Sequence, residues 1–132
     1  MRPTQTLAMI TIVVDDYDQA INWYTQKLDF KLIEDTTLSE TKRWVVLSPG
    51  PDMGCKILLA RAGNESQRAH IGNQTGGRVF LFLHTTDFKT YFDTLVSRDV
   101  EILRGPASEA YGQVAVFKDL YGNLWDLIEP VR

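Results

Sequence analysis

Asp126 is the residue that most needs a chemical role. It interrupts the apolar run Leu124-Trp125-Asp126-Leu127-Ile128, and a carboxylate in such a strand has to meet a cation, a metal, a ligand or water. Among apolar neighbours its pKa would rise, which suits proton transfer, but no nucleophile or second carboxylate adjoins it. Lys56, Arg43 and Arg78 are candidate structural partners. The two histidines, His70 in a polar stretch and His84 at a strand end, have no spacing that requires them to converge on a metal, and they read as exposed or hydrogen-bonded side chains. Cys55 is the single cysteine; it excludes an internal disulfide framework and reads as a small buried hydrophobe. Gly72-Asn73-Gln74-Thr75-Gly76-Gly77 lacks the lysine and following helix of a phosphate loop, and reads as a tight connection or a lip over a ligand. Tyr111-Gly112 is a second candidate lip, with a phenol able to donate to a ligand carbonyl. Trp44 and Trp125 read as core or interface aromatics.

The elements that must position these groups occur twice. Leu7 to Val14 is a β-rich run. Asp16 and Gln19 have capping-box spacing, and Tyr17, Ala20, Ile21, Tyr24 and Leu28 form one face of a helix. Strands follow at Phe30 to Ile33, Arg43 to Leu47 and about Cys55 to Ala60, with a Ser48-Pro49-Gly50-Pro51 turn between the last two. The polar stretch 63–77 reads as a linker with a short helical turn near Gln67. The order then restarts. Arg78 to Thr85 is a strand, and Asp87 opens a helix whose Phe88, Tyr91, Phe92 and Leu95 each lie 71 residues after Tyr17, Ala20, Ile21 and Tyr24. Val100, Ile102 and Leu103 echo Phe30, Leu32 and Ile33, and strands at Gln113 to Phe117 and Leu124 to Ile128 complete the repeat. Each module is a two-layer unit burying one helix face on one sheet face.

Composition narrows the function classes. The chain has 132 residues, 44% hydrophobic and 23% charged, with a net charge of −3. That fits one domain, or two small modules, of a globular protein. The lack of a basic block argues against nucleic-acid binding. The longest apolar run, Val79 to Leu83, is too short to span a membrane. The first residues lack a secretory layout, so a cytoplasmic location is expected.

Ile12-Val13-Val14-Asp15-Asp16-Tyr17, leading into Ala20-Ile21-Asn22-Trp23-Tyr24 and Leu28-Asp29-Phe30, is one of two stretches that resemble a known family. The other is Phe117-Lys118-Asp119-Leu120-Tyr121-Gly122-Asn123, leading into Asp126-Leu127. Together they resemble the vicinal oxygen chelate superfamily of glyoxalases, fosfomycin and bleomycin resistance proteins, and extradiol dioxygenases. The resemblance implies an α+β fold of two tandem β-α-β-β-β modules forming an open, curved mixed sheet with a cleft. Module one would span about 6–62, the linker about 63–77 and module two about 78–130. The resemblance also implies dimer contacts that support the cleft. The family's four metal positions fall on Met9, Leu58 (or Lys56), Phe80 and Asp126. Methionine, leucine and phenylalanine are not ligands for hard divalent cations, so no metal or other cofactor is expected.

Strand alternation then sets the cleft wall. Met9, Thr11, Val13, Lys56, Leu58, Phe80, Phe82, His84, Leu124, Asp126 and Ile128 would face it, with Asp126 and Lys56 as its polar groups. The expected ligand-binding set is Met9, Thr11, Lys56, Leu58, Phe80, Phe82, Tyr111, Leu124 and Asp126, with Asp126 also the one catalytic candidate. The function expected is binding of a small organic molecule in an apolar cleft by a metal-free homodimer. Two alternatives stand beside it. One is a lyase, isomerase or dioxygenase whose divalent metal is held by other residues such as His70 or His84. The other is an interaction module whose apolar sheet face is consumed by dimerisation.

Overall fold

The same local signals set both modules. A computed structural model describes residues 2–51 and 54–131. Its elements are β1 (Met9–Val14), α1 (Tyr17–Leu28), β2 (Lys31–Thr37), β3 (Arg43–Ser48), β4 (Lys56–Arg61), α2 (Glu65–Arg68), β5 (Val79–His84), α3 (Phe88–Ser97), β6 (Ile102–Glu109), β7 (Gly112–Lys118) and β8 (Leu124–Pro130). Asp16 accepts the Gln19 amide at 2.7 Å and opens α1, and Asp87 accepts the Thr90 amide at 3.1 Å and opens α3. Each cap satisfies an amide that the first helical turn leaves without a partner. Both helices are followed by an aspartate in the left-handed region, Asp29 (φ 60°) and Asp99 (φ 61°), a conformation that Asp tolerates better than most residues. Of the α1 stripe, Tyr17, Ala20, Tyr24 and Leu28 are buried, and Ile21 is half-buried.

The strands form two four-stranded mixed sheets, ordered β1-β4-β3-β2 and β5-β8-β7-β6. In each, the first and last strands of the module pair in parallel, β1 with β4 and β5 with β8, and the other pairs are antiparallel. The chain divides into two compact units between Arg68 and Ala69. This is the α+β class and the tandem β-α-β-β-β arrangement expected from the sequence.

Alternation separates the faces of each sheet. Ile12, Val14, Val45, Leu47, Ile57 and Leu59 are buried in the first unit, and Ala115, Phe117, Trp125 and Leu127 in the second. Phe117 and Trp125 stack at 5.9 Å between centroids. Burying a side chain of this kind stabilises by roughly 1.5–3 kcal/mol, so these rows hold the sheets to their helices. Met9, Val13, Lys56, Leu58, Leu124 and Asp126, on the alternate positions, are only half-buried, and Thr11 is exposed.

Two strands differ from the sequence expectation. β2 extends to Thr37 and β6 to Glu109, each further than read, and every residue of β2 is exposed. Both are edge strands, which need no second pairing partner and so tolerate Gly105-Pro106 in β6. Both carry an extra residue at the same place: Ile33 is skipped between the Leu32–Leu47 and Glu34–Val46 pairs, and Leu103 between the Ile102–Phe117 and Arg104–Val116 pairs.

Candidate functional site

The turn before β8 is built around Asp119. Its Oδ1 accepts the amides of Tyr121, Gly122 and Asn123 at 3.1, 3.1 and 2.9 Å. Its Oδ2 accepts Asn123 Nδ2 at 3.0 Å and Trp125 Nε1 at 3.2 Å. Asp119 is 5% exposed, and it is satisfied by five donors within six residues of chain. Fixing Trp125 toward the helix fixes Asp126 on the opposite face, because successive strand residues alternate.

On that face the register sets out a row of four residues, one from each strand. Phe82 pairs with Asp126, Asp126 with Val116, and Val116 with Arg104. With strands about 4.8 Å apart, Arg104 lies about 10 Å from Asp126 across Val116. Phe82 is 63% exposed, whereas Val116 is buried. The row borders two hollows. The larger, about 540 Å³, is lined by Gly77, Arg78, Val79, Phe82, Arg104, Leu124 and Asp126. The smaller, about 320 Å³, brings Tyr111 and Glu109 alongside Arg104, Val116 and Asp126.

Asp126 Oδ1 is, among the described residues, the one buried side-chain oxygen or nitrogen without a hydrogen-bond partner. Desolvation raises its pKa above the ordinary aspartate value, and the positive charge of Arg104 opposes that shift without cancelling it. The Arg104 guanidinium makes no hydrogen bond or ion pair with any described residue. A buried acceptor left open beside an uncommitted cation is unusual in a folded protein, and it distinguishes this place among the described residues. A hollow of similar size in the first unit, about 530 Å³ with Tyr17, Lys42, Arg61 and Gln67 in its wall, contains no such atom.

The structure brings Phe82, Leu124 and Asp126 to one hollow and Tyr111 to the adjoining one. Met9, Thr11, Lys56 and Leu58 lie together on one face of the first sheet, as the pairs Met9–Lys56 and Thr11–Leu58. Phe80 does not line the Asp126 hollow. β5 has an extra residue between the Val79–Leu124 and Leu81–Trp125 pairs, so Val79 takes the place expected for Phe80. Thr11 pairs with Leu58 as Phe82 pairs with Asp126, so Leu58 is the counterpart of Asp126. Lys56 instead donates from Nζ to the Gly54 carbonyl at 3.1 Å. Arg43 is held by Asp35 and Asp18 at 2.6 and 2.9 Å. Cys55 is half-buried rather than enclosed.

Arg104 was missed, and it makes the surroundings of Asp126 more cationic than the apolar wall expected. Counting by twos along β6 from Ile102 turns Arg104 toward the helix; the extra residue Leu103 returns it to the row of Asp126. Consecutive Ile102 and Leu103, followed by Gly105-Pro106, were the available signal, because glycine and proline within a strand mark bulges and edges.

The donor set does not fit the divalent metal that the family resemblance raises. Of the four positions, Met9, Leu58 and Phe80 supply no hard ligand, and one carboxylate does not hold such an ion. Among the described residues no group of three or more His, Cys, Asp or Glu side chains is placed to bind a metal. Among the described residues no helix is long and apolar enough to cross a membrane.

Comparison with known proteins agrees with this fold. Residues 6–127 match the model of the glyoxalase/bleomycin resistance protein/dioxygenase superfamily. An uncharacterized protein of Shewanella frigidimarina (strain NCIMB 400) is 52% identical over 126 residues, covering 95% of this chain and 93% of that protein. The crystal structure of UcmS2 superposes with a TM-score of 0.83 at 28% identity, covering 96% of this chain and 99% of that one. TnmS3, an antibiotic binding protein from Streptomyces sp. CB03234, has a TM-score of 0.77 at 22% identity, covering 99% and 100%. The chain thus belongs to the glyoxalase/bleomycin resistance protein/dioxygenase superfamily.

Proposed function

We propose that the protein binds a small organic molecule against the row Phe82-Asp126-Val116-Arg104, without a metal ion. The observation that carries this reading is the buried, unpartnered Oδ1 of Asp126 in the wall of a hollow large enough for a small molecule. An orphaned buried acceptor costs about 1–3 kcal/mol, and a ligand donor is the natural group to offset it. Phe82, Val79 and Leu124 supply the apolar contact that such pockets generally offer around a few directed polar groups. The fold is compatible with an organic ligand, being shared with TnmS3, an antibiotic binding protein. Asp126 acts here as an acceptor that orients the ligand. The reading also includes a homodimer, supported by edge strand β2, whose Leu32 and Ile33 are 42% and 54% exposed; uncapped apolar edges usually find cover.

A thermal-shift screen of small aromatic compounds and antibiotics in the presence of EDTA tests the binding reading. A ligand at a hundred times its Kd stabilises by about 2.7 kcal/mol, so true hits should raise Tm visibly for the wild type and clearly less for Asp126→Leu. Hits that act equally on both proteins, or only after a divalent cation is added, would refute it.

A further inference from the structure

Resting on that binding reading, we infer that the ligand is an aromatic hydroxy acid, its hydroxyl donating to Asp126 Oδ1 and its carboxylate held by Arg104. Three features of the row lead to this class. The orphaned Oδ1 requires a donor. The larger hollow contains two arginines, Arg78 and Arg104, against the single carboxylate of Asp126, and neither guanidinium forms an ion pair or hydrogen bond with a described residue. That excess of positive charge repels an ammonium donor and favours a neutral hydroxyl on a molecule that is anionic elsewhere. Arginine also offers a planar fork that matches a carboxylate in two hydrogen bonds.

The spacing fixes the shape of the molecule. Asp126 and Arg104 are two strands apart, about 10 Å between Cα atoms, with Val116 between them in the row. Donor and acid therefore sit at opposite ends of a rigid spacer rather than on adjacent atoms. Phe82 stands beside Asp126 in the same row with 63% of its surface exposed, so an aromatic spacer gains ring contact that an aliphatic chain would not. Glu109 lines the smaller hollow with Tyr111 and repels an anion there, which directs the carboxylate to the side of Arg104 shared with Arg78.

Titration calorimetry on the EDTA-dialysed full chain tests the class with four probes: para-hydroxybenzoate, its methyl ester, benzoate and tyramine. Para-hydroxybenzoate should bind at least about tenfold more tightly than the ester or benzoate, each of which lacks one of the two directed groups. Tyramine should bind weakest. Arg104→Gln, at an exposed edge-strand position, should abolish the preference for acid over ester while leaving the preference for hydroxyl intact. Asp126→Leu should do the reverse. Equal binding of acid and ester, tighter binding of tyramine, or no binding of any of the four would overturn the hydroxy-acid assignment. If the EDTA thermal-shift screen still yields hits that require Asp126, small-molecule binding stands without this class; if it yields none, both fall together.

Discussion

Replacing Asp126 by leucine should make the protein more stable and weaken its ligand binding. Leucine is what the first module carries at the equivalent place, Leu58, so the fold already accommodates it in this register. The substitution removes one buried acceptor that has no partner, a defect costing about 1–3 kcal/mol. Because Asp126 is only half-buried, part of its carboxyl group stays hydrated, and the gain belongs at the lower end, about 1–2 kcal/mol. For a chain of this length that is a rise in Tm of roughly 3–10 °C. The gain should depend on pH with a definite sign. Burial raises the folded-state pKa of Asp126 above the ordinary 3.8, so the native state takes up this proton more readily than the unfolded chain. Wild-type stability then falls as pH rises from about 3.8 through the native pKa. The advantage of the leucine variant should be full above that window, shrink as pH falls through it, and be smallest below pH 3.8. Differential scanning calorimetry of both proteins across pH 3.5 to 8 measures this. A variant that melts lower than the wild type at pH 7 would show that Asp126 is satisfied in the folded protein, and the premise of a ligand anchor would fail.

Three further outcomes follow from the scaffold. Asp119→Ala removes an acceptor of five hydrogen bonds in a buried turn and should cost about 3 kcal/mol, seen as a lower urea midpoint with an unchanged m-value. Arg43→Ala breaks the two-pronged pair with Asp35 and the contact to Asp18, and with a quarter of the side chain exposed it should cost about 1 kcal/mol. Hydrogen bonding and charge from Arg43 lower the pKa of Asp35 below 3.8, so that contribution is present above pH 3.8 and is lost as acid protonates Asp35; double-mutant melts at pH 7 and pH 3 should show it. Gly72→Ala places a Cβ 2.0 Å from the Tyr121 carbonyl oxygen at φ +71°; it should destabilise by about 2 kcal/mol or more, read as faster proteolysis of the 69–77 stretch.

The parts of the fold that were legible in the sequence are those set by short-range signals. Asp16 and Asp87 announce the helices, the 71-residue recurrence of the helix stripe announces the repeat, and period-two alternation separates the buried rows from the open ones. The candidate site was only half legible. Asp126 could be found because it contradicts its own strand. Arg104 could not, since its position depends on an extra residue that shifts parity by one, and a one-residue shift moves a side chain to the other face. The same physics misplaced Phe80 in favour of Val79. Edge strands β2 and β6 were read too short because, having one neighbour each, they need no apolar alternation to persist.

The central claim is metal-independent binding at the Asp126 row. The most direct measurement is a nitrogen-15 NMR titration of EDTA-dialysed protein with the strongest compound from the thermal-shift screen. Saturable shifts of the Val79, Phe82, Arg104, Val116 and Asp126 amides, unchanged by added manganese or zinc, are the predicted result. Those five amides standing still while the compound binds, or moving only once a divalent ion is added, would contradict it.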